Sequence, residues 1–270
     1  MTKSASSIEN RQLFYTCYDT IFANKNYLAE VHMVLELGEV QNGSASILEL
    51  GCGTGNHTQC FAGLGHSIVG VDPDEEMLAI AHAKLARLPA ETAGRITYCH
   101  GQVHDLPAIT YDLATALFNV INYIPNIAAL ESLMREVAQR LKPGASFVFD
   151  AWNGSAALID PPTDKVVVTE NERNRVKVNL TARTDVAARS TELTYFIEAS
   201  EYQGGSLDCG EYSVSHFLWP PDVIVEAARS AGLEATSIHP LFDTSRKAAE
   251  HDWKLMFRFR KPATDVLRLA

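Results

Sequence analysis

The chain has 270 residues, 46% of them hydrophobic and 21% charged, with 16 glycines and 11 prolines spread along it. That composition builds a globular core and excludes a disordered or fibrous protein. A net charge of −10 repels phosphate backbones and anionic lipid surfaces, which argues against nucleic acid and membrane as partners. From Ile8 to about Leu37 the apolar residues Leu13, Phe14, Cys17, Ile21, Leu28, Val31, Val34 and Leu35 recur at helical spacing, and the polar stretch 23–26 divides them into two helices. Short apolar strands are then expected at residues 47–50, 67–72, 96–100, 112–117 and 146–150. Helices lie between them, after Asn56, over residues 74–88 and over residues 126–141, the last stopped by Lys142-Pro143-Gly144. Alternating strands and helices of this kind make a parallel sheet covered on both faces.

The pattern changes after Asp150. Residues 150–164 read as a loop, and period-two segments follow at 165–169, 175–183 and 192–202, completed by 212–218. No helix-length segment separates them, so they form antiparallel hairpins in a small inserted sheet. A helix from Pro220-Pro221 to Gly232 and strands at 234–239 and 254–261 complete the main sheet. The expected division is residues 1–154 for the N-terminal helices and α/β core, 155–218 for the inserted sheet, and 219–270 for completion of the core. Five cysteines (Cys17, Cys52, Cys60, Cys99 and Cys209) form neither a C-x-x-C pair nor an even set, and read as reduced thiols. With no apolar run near the ~18 residues of a membrane span and no signal-peptide pattern, a cytoplasmic protein is expected.

Glu49-Leu50-Gly51-Cys52-Gly53-Thr54-Gly55-Asn56 sits where a strand becomes a loop and then a helix, the place where open α/β sheets bind nucleotide-like ligands. Glycines let the backbone approach a ligand, and a helix N-terminus offers N–H groups to an anion. The third glycine comes one residue too early for the dinucleotide pattern G-x-G-x-x-G. Asp72 ends the next strand, where a carboxylate accepts both hydroxyls of a ribose.

The series ExGCGTGxxT, GVDxxxxML and KPGxxFxFD resembles the class I S-adenosylmethionine-dependent methyltransferases, over roughly residues 14–262. Tyr18-Asp19, Lys25-Asn26-Tyr27 with Glu30, the segment LFNVINYI, the stretch FVFDAWNG and the inserted sheet resemble the branch that includes bacterial nucleotide-sugar N-methyltransferases. The resemblance implies a Rossmann-like, mostly parallel seven-stranded sheet with helices on both faces. It also implies an inserted antiparallel sheet that covers a small-molecule acceptor and, in some relatives, pairs two chains as a homodimer.

The resemblance further implies that Glu49 and Gly51, Cys52, Gly53 and Gly55 hold the methionine portion of the cofactor. Asp72 takes the ribose hydroxyls, Met77 a contact near the adenine, and Phe118 and Asn119 places beside the reactive sulfur. Gly101-Gln102-Val103 replaces the usual G-D-[MIV], so Gln102 takes the adenine edge, with Asp105 able to share it. Tyr18, Asn56, Pro73 and Val103 complete the cofactor set, and S-adenosylhomocysteine is the product. Transfer to nitrogen or oxygen needs placement, because the sulfonium already carries the activation. A base within reach helps either acceptor. Tyr123 leads as that base, followed by Asp150, His216 and Tyr18.

A structural role stands beside each of these. The glycines could simply make a turn, Asp72 could cap the helix after Pro73, and Tyr123 could pack. His100 and His104 have metal-ligand spacing, but Gly101 breaks any helix between them, and no metal is expected. Asp160-Pro161-Pro162-Thr163 lacks the aromatic and the strand-end position of an amine-gripping turn. Two other functions compete: a nucleotide-dependent oxidoreductase, opposed by the glycine spacing and the lack of a Tyr-x-x-x-Lys pair, and a cofactor-binding regulator without transfer.

Overall fold

The computed structural model describes residues 7–40, 44–170, 174–201 and 207–263. These fall into two compact units, a larger one from residues 26–157 and 218–263 and a smaller one from residues 7–25 and 158–217.

The first helix, α1 (Ser7–Ile21), belongs to the smaller unit, and α2 (Tyr27–Leu37) opens the larger. The polar stretch between them ends in Asn26, whose side chain accepts from Ala29 N at 3.0 Å and starts α2. There follow β1 (Ser46–Leu50), α3 (Asn56–Gly63), β2 (Ser67–Asp72), α4 (Glu75–Leu85), a single turn α5 (Ala90–Ala93), β3 (Ile96–His100), β4 (Tyr111–Ala116), α6 (Ile127–Arg140) and β5 (Leu141–Trp152). The sheet is completed from the chain's end by α8 (Pro221–Ser230), β10 (Glu234–Pro240) and β11 (Lys254–Arg260). Its seven strands run in the order β10-β11-β5-β4-β1-β2-β3, all parallel except β11.

On one face Leu130, Met134 and Val137 of α6 and Ile224, Ala227 and Ala228 of α8 pack on Leu48, Phe147, Phe149 and Phe257. On the other, α2, α3 and α4 bring Val34, Phe61 and Ala81 onto Ile47, Ile68 and Val148. Strands buried on both faces are largely apolar, which is why they stand out in the sequence as short runs.

Three boundaries differ from expectation. The helix expected over 74–88 ends at Leu85, ahead of Pro89, and α5 is separate. β5 starts at Leu141, which pairs with Tyr111 before a register shift, so Lys142-Pro143-Gly144 lies in the strand's irregular first part. The expected loop after Asp150 contains a helix, α7 (Gly154–Ile159), capped by Asn153 Oδ1, which accepts from Ser155 N at 3.1 Å.

In the smaller unit β6 (Lys165–Glu170), β7 (Asn174–Asp185), β8 (Ser190–Glu201) and β9 (Leu207–Phe217) form an antiparallel sheet in chain order. The period-two reading places Val176, Val178, Leu193 and Ile197 inside, and they are buried. Tyr202, the expected end of one segment, lies outside the described residues. The sequence division put both N-terminal helices with the α/β core. Instead α1 packs on this sheet, with Phe14 stacked on Tyr212 at 4.3 Å and 5.0 Å from Tyr195. Aromatic residues on strand and helix make that face.

Candidate functional site

Strand order reverses between β1 and β4, and at such a point an open sheet binds its ligand beyond the carboxyl ends of the strands. The loop leaving β1 has three left-handed glycines, Gly51 (φ 63°), Gly53 (φ 53°) and Gly55 (φ 78°). Packing alone demands two of them. A Cβ on Gly51 would lie 2.6 Å from Val120 Cγ2, and one on Gly55 would overlap the Tyr98 hydroxyl. Gly53 is different, because a Cβ there meets nothing within 4 Å. Its backbone borders open space that a ligand can fill.

Asp72, at the end of β2, binds this loop: Oδ2 accepts from Gly53 N at 2.7 Å and Oδ1 from Asp74 N at 2.8 Å. It does not cap α4. Asp74 does, accepting from Glu76 N at 3.0 Å and Met77 N at 3.2 Å. Burial raises the Asp72 carboxyl above the ordinary range, and the two backbone donors oppose that rise. Each oxygen keeps a second acceptor position for a ribose hydroxyl. Asp72→Ala is therefore expected to weaken S-adenosylhomocysteine binding by about 1.5–3 kcal/mol in calorimetry, the scale of charge-assisted hydrogen bonds. An unchanged dissociation constant would remove Asp72 from the site.

Glu49 lies one strand over and is almost wholly buried; its Oε2 accepts from Thr58 Oγ1 at 2.5 Å. Burial pushes its carboxyl up to about 8, the Thr58 hydroxyl opposing and Asp72 adding to the rise. The Cys52 thiol is buried and held protonated, so Cys52 serves through its backbone. The Asn56 side chain, at the start of α3, accepts from Lys84 Nζ at 2.5 Å and donates to Thr54 Oγ1 at 3.3 Å.

Farther along, Pro73 is exposed and Met77 half-buried. Gln102 is exposed and Val103 buried. The Asp105 carboxylate turns back to accept from Gln102 N at 2.8 Å, stiffening the turn after β3. His100 and His104 have separate partners, the Pro73 carbonyl at 3.1 Å and Glu136 at 3.4 Å.

The loop leaving β4 is strained. Phe118 (φ 73°) and Asn119 (φ 62°) are consecutive non-glycine residues in the left-handed region. Asp150, 2% exposed on β5, holds both, its Oδ1 accepting from Phe118 N at 2.6 Å and Asn119 N at 3.1 Å. Asp150 Oδ1 thus holds the backbone of this loop. Asn119 is 5% exposed, and its Oδ1 has no hydrogen-bond partner among the described residues. A buried acceptor left open at a strained loop suits a ligand donor. Asn122, fully buried in the 3-10 turn Val120–Tyr123, accepts from Trp152 N at 2.9 Å, and Tyr123 at the end of that turn is 49% exposed.

Glu49, the glycine loop, Asp72, Phe118, Asn119, Asp150 and Tyr123 thus all belong to the larger unit, at or just beyond the carboxyl ends of its strands. His216 is buried on β9 and Tyr18 half-buried on α1, both in the smaller unit. Sequence reasoning gave no role to His57 or Tyr98. His57 Nε2 lies 2.7 Å from Glu30 Oε2 and Nδ1 3.8 Å from Glu49 Oε1. The available signal was an acidic residue, Glu30, on the apolar face of α2.

The residue set fits S-adenosylmethionine: Glu49 for its ammonium, Asp72 for ribose hydroxyls, and open backbone at Gly53. That cofactor supplies a methyl group activated on a sulfonium. Comparison with known proteins agrees. Residues 47–144 match the methyltransferase domain family. The chain is 26% identical over 176 residues to dTDP-3-amino-3,4,6-trideoxy-alpha-D-glucopyranose N,N-dimethyltransferase of Streptomyces venezuelae, covering 64% of this chain and 71% of that one. It is 23% identical over 222 residues to dTDP-4-amino-2,3,4,6-tetradeoxy-D-glucose N,N-dimethyltransferase of Saccharopolyspora spinosa, covering 81% and 84%. The fold is shared with a sugar N-methyltransferase from a Streptoalloteichus species, with TM-score 0.71, 20% identity, and 97% and 99% of the two chains covered. Residues 47–144 carry a methyltransferase domain, and the glycine loop, the strand order and the relatives together support S-adenosylmethionine-dependent methyl transfer by a chain that resembles the branch including nucleotide-sugar N-methyltransferases.

Proposed function

We propose that the chain methylates the amino nitrogen of a small, sugar-like acceptor. The observation that carries this reading is the loop after β4, where Asn119 offers a buried amide oxygen with no hydrogen-bond partner among the described residues and Asp150 Oδ1 accepts from two backbone N–H groups. A neutral amide oxygen accepts a hydrogen bond but is no base. An amine can donate one N–H to it and keep its lone pair for the methyl group, whereas a hydroxyl in the same place keeps its proton and stays a poor nucleophile. Likeness to two amino-sugar N,N-dimethyltransferases supports the same acceptor class. The acidic net charge and five free cysteines support work in the cytoplasm on a small molecule without nucleic acid. No helix among the described residues is long and apolar enough to cross a membrane. Acceptor choice is assigned to the inserted sheet, and the resemblance supports a homodimer.

The test is a pair of nucleotide-linked sugars that differ only in bearing an amino or a hydroxyl group at one carbon. Methylation of the first alone supports the reading, and equal or preferential methylation of the second overturns it. Tyr123 is assigned to receive or order the amine's proton. Tyr123→Phe is expected to lower turnover roughly 10²-fold with unchanged cofactor affinity. Turnover within threefold of wild type would end the assignment.

A further inference from the structure

Three ionisable side chains of the larger unit are buried in a row from α2 through α3 to β1. Glu30 is 2% exposed, His57 5% and Glu49 1%. Glu30 Oε2 is 2.7 Å from His57 Nε2, His57 Nδ1 is 3.8 Å from Glu49 Oε1, and the edge of the Tyr27 ring packs on the imidazole at 4.9 Å. Such a row is a poor way to stabilise a fold, since apolar side chains of equal volume commonly do as well or better. It also ends on the carboxyl assigned to the cofactor's ammonium.

The surroundings of Glu49 favour its neutral form. Asp72 on β2 is acidic, Thr58 is a neutral donor, and Tyr98, Cys52 and Cys60 are held protonated by burial. Lys84 Nζ donates to Asn56 Oδ1 at 2.5 Å and to Thr54 Oγ1 at 3.4 Å. A neutral carboxyl cannot balance an ammonium, so ligand binding requires the proton to leave. A Glu30 carboxylate can only accept, which places a hydrogen on His57 Nε2; in the neutral imidazole the lone pair is then on Nδ1, the nitrogen nearer Glu49.

We propose that His57 is a positioning residue that takes the Glu49 proton at Nδ1 when the cofactor's α-ammonium arrives, with Glu30 stabilising the imidazolium. The two side chains close from 3.8 Å to hydrogen-bond distance as the ligand arrives, the Glu49 O–H bond breaks and an Nδ1–H bond forms. Glu49 gains the negative charge, His57 gains the positive one, and no proton reaches solvent. This rests on the reading of Glu49 as the ammonium's partner.

S-adenosylhomocysteine, which carries the same α-ammonium, is the probe. In calorimetry at pH 7 in buffers of different ionisation enthalpy, the wild type is expected to release close to no protons. His57→Gln can still bond Glu30 but cannot hold the proton. It should release nearly one proton, and its affinity should fall about tenfold per pH unit from pH 7.5 to 6. In nitrogen-15 spectra the wild-type His57 ring should change from neutral imidazole to imidazolium on saturation, a readout that stands even if the variant does not fold. Release of a full proton by the wild type, or a ring that stays neutral, overturns the proposal. Glu49→Gln separates the two readings: unchanged affinity there removes Glu49 from the cofactor site, whereas lost affinity with an unchanged His57 ring in the wild type defeats the relay alone.

Discussion

Gly53→Ala is expected to fold normally and to bind S-adenosylhomocysteine roughly 10- to 100-fold more weakly. The fold tolerates the methyl because nothing lies within 4 Å of it. The left-handed backbone at φ 53° adds only about 1–2 kcal/mol. The same methyl stands in the space assigned to the ligand, and overpacking a close contact costs about 1–3 kcal/mol. Gly55→Ala should behave oppositely, because its methyl lands on the Tyr98 hydroxyl and lowers the melting temperature before any ligand is added. Thermal melts and calorimetry on both variants separate the two roles. Normal affinity in Gly53→Ala would mean that the open space beside the loop is not where the cofactor lies.

Asp150→Ala carries the second large effect. One carboxylate oxygen serves two backbone N–H groups of the strained loop, and truncation leaves two buried donors unmet at about 1–3 kcal/mol each. A loss of about 3–5 kcal/mol in unfolding free energy is expected, together with loss of turnover. Asp150→Asn keeps an acceptor oxygen at the same place while abolishing any basicity, so it should retain most of the stability and turnover within about tenfold of wild type. If Asp150 were the base, Asn would be nearly as inactive as Ala, and that outcome would reverse the positioning assignment.

The alternation of strands and helices was legible because strands buried on both faces are largely apolar, as Ile68–Val71 is, and because Asn26, Asp74 and Asn126 mark helix starts with side-chain caps. The inserted sheet showed through the strict alternation of Val176 and Val178 with polar neighbours. Less was legible where tertiary contacts decide. Nothing local distinguishes α1 from α2, and Phe14 settles the matter by stacking on Tyr212, far along the chain. The six-residue α7 is too short to show a period. Within the site, the glycines and Asp72 were readable from spacing. The turning of Asp150 toward the loop was not, because its partners are backbone groups about 30 residues away in sequence. His57 looked like one more polar residue after a glycine loop until Glu30 and Glu49 were seen on either side of it.

The most direct measurement follows the methyl group itself. The purified chain is incubated with S-adenosylmethionine labelled with carbon-13 in its methyl group and with a nucleotide-linked amino sugar, and the product is observed by NMR. The account predicts the label on the amino nitrogen, with S-adenosylhomocysteine formed in equal amount for each methyl transferred. Label appearing on a hydroxyl oxygen, or cofactor that binds one to one and is never consumed across a panel of small amines, would contradict it.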